Sequence, residues 1–157
     1  MKKDVRVLLH NIRSAHNVGA IFRTADALRI SRIYLSGYTP TPLDRFGRPV
    51  KEIAKTALGA EQSIPWEYHQ MPQKLMLRFK KDGVTVVGIE QDSRAIDYKK
   101  FTLKSPTVFL VGNEVRGLSP LLRKSCNVLL EIPMQGKKES LNVSVAFGIA
   151  LFRVLDQ

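Results

Sequence analysis

The chain has 157 residues, 44% apolar and 25% charged, the proportions of an ordinary globular domain. A chain of that length buries roughly 70% of the surface its unfolded form exposes, so it fits one domain that needs no covalent staple. Its single cysteine, Cys126, excludes an intrachain disulfide, and His10, His16 and His69 lack metal-ligand spacing, which argues against a metalloenzyme. Lys and Arg outnumber Asp and Glu by 25 to 14, a net charge of +11. Residues 1–60 hold 11 basic and 4 acidic side chains, so the first third supplies +7 of it. RNA, DNA or an anionic membrane would satisfy such an excess, and the polyanion is expected against that third. The alternative is a basic surface that serves solubility alone.

The elements alternate between strand and helix patterns. Residues 5–9 read as a buried strand. Val18, Ile21, Phe22, Ala25 and Leu28 then recur at helical spacing, with Asn17 as the expected N-cap. Residues 33–35 form a second strand. Residues 37–49, with Gly and Pro, form a loop long enough to suggest function, and 50–58 a helix stopped by Gly59. Arg45 and Arg48 lie in that loop with Phe46, a composition suited to phosphate contact and base stacking.

Residues 75–81 are expected to be helical, 84–89 and 107–111 strands. Ser119 caps a short helix with Pro120 at its first position, 128–132 is the last strand, and 140–155 the last helix. The pattern is α/β with a mainly parallel sheet. Between residues 141 and 155 only Asn142, Ser144 and Arg153 are polar, too few for a solvated stripe. Its second face is therefore expected to be covered, most simply by another copy of the chain. The segment is too short and too interrupted to span a bilayer, and the N-terminus lacks a signal-peptide pattern; no membrane role and a cytoplasmic location are expected.

Neither a Gly-x-Gly-x-x-Gly fingerprint nor a P-loop is present. What carries chemistry is a set of three segments: Asn11-Ile-Arg-Ser-Ala-His-Asn-Val-Gly-Ala-Ile-Phe-Arg-Thr-Ala-Asp26, Gly112-Asn-Glu-Val-Arg-Gly117, and Ile132-Pro-Met followed by Ser140-Leu-Asn-Val-Ser144. In this order they closely resemble the motifs of the SpoU (TrmH-like) RNA 2′-O-ribose methyltransferases of the SPOUT superfamily. Lys55-Thr-Ala-Leu-Gly-Ala-Glu61 is similar to the family as well, so the resemblance covers nearly the whole chain.

The resemblance implies an α/β fold with a C-terminal deep trefoil knot, one methyltransferase domain over 1–157 without an added RNA-binding domain, and a homodimer built on helices that include the last one. It implies S-adenosylmethionine as cofactor, held by Leu110, Gly112, Asn113, Ile132, Pro133, Met134, Ser140 and Leu141. Catalytic roles fall on Arg23, Asn17, Glu114, Ser140 and Asn142. A guanidinium is normally permanently charged, so Arg23 is expected to grip a phosphate and stabilise the forming alkoxide rather than to accept a proton. Asn17 and Arg23, six apart on one helix, do not share a face, so Arg23 is expected to serve a site formed with another segment, across the dimer if need be. RNA, tRNA slightly before rRNA, is the expected substrate, with Arg13, Arg45, Arg48, Lys51 and Lys55 as phosphate contacts. Two other classes remain: a SPOUT enzyme methylating a base nitrogen, and a non-catalytic RNA-binding module of the same fold.

Overall fold

The computed structural model describes residues 3–104 and 106–156. Its elements run β1 (Val5–His10), α1 (Ala15–Ala27), β2 (Arg32–Ser36), α2 (Lys51–Ala57), α3 (Ala60–Ser63), β3 (Trp66–His69), α4 (Pro72–Lys81), β4 (Thr85–Ile89), β5 (Ile96–Asp97), a 3₁₀ turn at Tyr98–Lys100, β6 (Thr107–Val111), α5 (Pro120–Ser125), β7 (Val128–Glu131) and α6 (Val143–Leu155). All strand pairs are parallel, in the order β3-β2-β1-β6-β4-β7-β5. The chain reaches the β5 edge, returns to insert β6 between β1 and β4, and crosses again to set β7 between β4 and β5.

Parallel strands covered on both faces read as continuous apolar runs. Alternate residues of β1, β2, β4 and β6 divide between two cores. Val7, Leu9, Ile33, Leu35, Val87, Phe109 and Val111 pack with α1, α2 and α6 on one side. Leu8, Tyr34, Val86, Val108 and Leu110 pack with Leu75, Met76 and Phe79 of α4 and Leu122 of α5 on the other. The layers are thus helix, sheet and helix, and among the described residues no helix is long and apolar enough to cross a membrane.

Local chemistry sets the element ends differently from expectation in several places. The N-cap of α1 is Ser14, not Asn17: the Ser14 hydroxyl accepts the Asn17 amide at 3.2 Å, which frees the Asn17 side chain. Helix α2 ends at Ala57, with Leu58 itself in the left-handed region at φ 51°, so Gly59 begins α3 rather than stopping α2. Helix α4 starts earlier, at Pro72, whose missing N–H costs nothing in a first turn. The last strand stops at Glu131, and α6 starts at Val143 because Asn142 caps it, so residues 140–142 lie outside the helix. Ser119 and Pro120 open α5 as expected. The edge strands β3 and β5 escaped the sequence reading, since four and two residues are too few for a period to stand out.

Gly19 brings α1 and α2 together. A Cβ at that position would lie 2.0 Å from Thr56 Oγ1 and 2.4 Å from the Ile53 carbonyl oxygen, closer than side chains tolerate.

Candidate active site

The carboxyl ends of β4, β6 and β7 and the start of α6 border an open cleft of about 150 Å³. That is the position where open parallel sheets bind ligands. Apolar walls come from Ile89, Val111, Leu130, Ile132, Leu141 and Val143; Glu90, Glu131, Asn113, Glu114 and Ser140 add polar groups, and Gly112 and Met134 complete the rim.

Residues 112–117 form a folded-back loop. A Cβ on Gly112 would stand 2.6 Å from the Gly117 carbonyl carbon, so the two limbs meet only because position 112 is bare. Gly117 sits at φ 64°, and its amide donates to the Asn113 carbonyl at 2.9 Å. Asn113 holds the loop from within: its Oδ1 accepts the amides of Val115 at 2.9 Å and Arg116 at 2.8 Å. Its Nδ2 donates outward to the Asn11 carbonyl at 3.1 Å and the Tyr38 hydroxyl at 2.9 Å. Glu90 supports the far limb by accepting the Leu118 amide at 2.6 Å.

Glu114 reaches over to the start of α1. Its carboxylate accepts the amides of Arg13 at 2.9 Å and Ser14 at 3.0 Å, and the Asn17 side-chain amide at 3.2 Å. Burial pushes its pKa up, but the two backbone amides and the Asn17 amide outweigh that and hold the carboxyl below its usual range. Asn17 Oδ1 in turn accepts Asn142 Nδ2 at 3.2 Å, while Asn142 Oδ1 accepts the amide and hydroxyl of Ser144 at 2.9 and 2.6 Å. One polar chain, Glu114 to Asn17 to Asn142, therefore ties the start of α1 to two segments that lie 97 and 125 residues further along the sequence.

Of the residues expected at the cofactor, Gly112, Asn113, Ile132, Met134, Ser140 and Leu141 line the cleft. Leu110 does not: it is fully buried in the opposite core, because strand residues alternate between faces and Val111 takes the cleft side. Pro133 also fails to line it; its side chain is exposed beyond the end of β7. Glu90, Ile89, Leu130, Val143 and Ala146 line the cleft without having been anticipated. Only the position of Glu90 at a strand's carboxyl end could have signalled it.

Arg23 is exposed and lies outside the cleft, in a shallow groove with Ala20, Thr24, Lys55 and Phe152. Six helical residues carry it about 9 Å along the axis from Asn17 and about 240° around it. The neighbouring outer face of α6 exposes Val145, Ile149 and Phe152, the last by 52%. Arg13, Arg45, Arg48, Lys51 and Lys55 are all exposed. Arg45 and Arg48 place their guanidinium groups 4.7 and 4.9 Å from the Phe46 ring centre, with Arg48 also paired to Asp44 at 3.0 Å.

Residues 4–152 match the model of the SpoU rRNA Methylase family. The chain belongs to that family. It is 32% identical to a tRNA (guanosine(18)-2′-O)-methyltransferase of Aquifex aeolicus over 99% of its own length and 71% of that protein's. It is 34% identical to the 23S rRNA (guanosine-2′-O-)-methyltransferase RlmB of Pseudomonas aeruginosa over 95% of its length, spanning 57% of that relative. Its fold superposes on the AdoMet-bound rRNA methyltransferase from Sinorhizobium meliloti with a TM-score of 0.84 at 32% identity, covering 98% of this chain and 56% of the other. Against this SpoU member the expected α/β, parallel-sheet architecture holds.

Proposed function

We propose that this SpoU member is a cytoplasmic S-adenosylmethionine-dependent methyltransferase acting on a ribose 2′-hydroxyl of tRNA or rRNA. The observation that carries the reading is the polar chain from Glu114 through Asn17 to Asn142, which gathers all three motif segments at one cleft. Relatives named as tRNA and rRNA 2′-O-methyltransferases support the reaction, and a SpoU structural neighbour with AdoMet bound supports the cofactor.

The cleft fits the cofactor by its chemistry. Ile89, Val111, Ile132 and Leu141 offer apolar faces for a purine, and Glu131 on the rim complements a ligand bearing positive charge. When bound, S-adenosylmethionine supplies an activated methyl group. Ser140 and Asn142 orient the acceptor ribose; Asn17 and Glu114 fix Asn142 and the 112–117 loop rather than touch the reacting atoms. Arg13, Arg45, Arg48, Lys51 and Lys55 draw in the phosphates.

Arg23 completes the site from a second protomer. Supporting this, it stands apart from its own cleft and beside the exposed Val145, Ile149 and Phe152 face, which a homodimer would cover. There it grips a phosphate and stabilises the developing alkoxide. The double crossing that inserts β6 and then β7 between earlier strands supports a trefoil knot in the C-terminal part, with 1–157 as one methyltransferase domain.

The test is methyl transfer from labelled S-adenosylmethionine to unmodified tRNA and rRNA pools, followed by nuclease digestion and nucleoside analysis. Label on a ribose in one pool, lost with Arg23→Ala and not restored by Arg23→Lys, is the expected result. Label on a base would assign the chain to another SPOUT chemistry. Phe152→Glu should yield a monomer in sedimentation and abolish transfer; a fully active monomer would refute the shared site.

A further inference from the structure

Beside the cofactor cleft, and sharing Asn113, Glu114 and Val115 with it, lies a second recess whose other walls include Arg13, Tyr38 and Arg116. Tyr38 is 58% exposed although the residue is held at two points. Its amide donates to Asn11 Oδ1 at 3.1 Å and its hydroxyl accepts Asn113 Nδ2 at 2.9 Å. The preceding Gly37, at φ 63°, is fixed as well, its carbonyl accepting the Tyr68 hydroxyl at 2.7 Å. Asn11 holds its own strained φ of 55° in the same cluster. An aromatic ring kept in water by this much restraint gains nothing from burial in the fold. Val115, which lines the same recess, is 88% exposed, an apolar side chain in the 112–117 loop. Arg13 and Arg116 are exposed and make no ion pair among the described residues.

A rigid aromatic face, an apolar contact and two unpaired guanidinium groups are the elements by which a protein holds one unstacked nucleotide: ring against base, cations against the flanking phosphates. We propose that Tyr38 and Val115 hold the base of the nucleotide to be methylated, while Arg13 and Arg116 take the phosphates on either side of it. The inference rests on the methyltransferase reading and adds where the acceptor base sits. Tyr38 is then a positioning residue. It sets which nucleotide can enter, and through Asn113 it keeps the base recess and the cofactor loop in register.

The experiment compares wild type with Tyr38→Phe, Tyr38→Leu and Arg116→Ala, using the unmodified tRNA and rRNA pools for transfer, a random-sequence hexaribonucleotide for binding, and S-adenosylmethionine titration as a control. Tyr38→Leu is expected to raise the RNA KM and weaken hexamer binding about 10- to 100-fold, the size of one base stack, with cofactor affinity unchanged. Tyr38→Phe, which keeps the ring, should recover most of the binding. Arg116→Ala should weaken the hexamer and reduce the salt dependence of its binding. Hexamer affinity unchanged in Tyr38→Leu would overturn the proposal, as would a loss of cofactor affinity equal to the loss of RNA affinity, which would make the ring a prop for the loop. Because the hexamer arm needs no turnover, absence of methyl transfer by the wild type would count against the reaction and leave the recess to be judged by binding.

Discussion

Replacing Glu114 by Ala removes one carboxylate and strands three donors: the amides of Arg13 and Ser14 and the side chain of Asn17, at 2.9, 3.0 and 3.2 Å. A hydrogen bond to a charged group contributes about 1.5–3 kcal/mol, but water reaches this half-buried loop and the three bonds divide one carboxylate's charge. The expected loss is about 2–3 kcal/mol, which for a domain of this size lowers Tm by roughly 5–10 °C. Glu114→Gln keeps the shape without the charge at the start of α1 and should lose about 1 kcal/mol. The native carboxyl ionises more readily than the unfolded one. Its contribution is therefore complete above the unfolded value of about 4.5 and is lost as pH falls through the lower native value. Urea unfolding of wild type and both variants near neutral pH, and again near pH 4, measures this. A Glu114→Ala effect below about 0.5 kcal/mol at neutral pH, or one that does not shrink in acid, would refute the reasoning.

Gly19→Ala should destabilise the protein by about 1–3 kcal/mol in the same assay, because its Cβ would press on backbone at Ile53 and not only on the movable Thr56 hydroxyl. RNA affinity should fall steeply with salt. Arg45→Ala with Arg48→Ala should flatten the log–log slope by roughly 1–2, about 0.7–0.9 for each phosphate no longer neutralised, as followed by anisotropy; an unchanged slope would remove this loop from the RNA interface. Burial pushes the Cys126 thiol up to about 12, so it should react with iodoacetamide in the folded protein at least about tenfold more slowly than after denaturation. Equal rates would show the thiol to be open.

Sequence by itself determined the class of the fold and most of the chemistry. The strands at β1, β2, β4, β6 and β7 are buried on both faces, so their residues form apolar runs that need no neighbour to be recognised. The cap at Ser119 and the turn at residues 112–117 are likewise written in local residue types. Tertiary structure decided what depends on contacts between distant segments. Leu110 belongs to one face of its strand and Val111 to the other, and only the packed sheet shows which face meets the cleft. Asn17 reads as a cap from its neighbours alone, yet Ser14 fills that role and Asn17 links residues 114 and 142. That Arg23 and Asn17 do not share a face follows from their spacing of six on a helix, but that Arg23 lies in a groove with Lys55 and Phe152, apart from the cleft, follows only from how the helices pack. The sequence names the groups; where each one points follows from periodicity and long-range packing acting together.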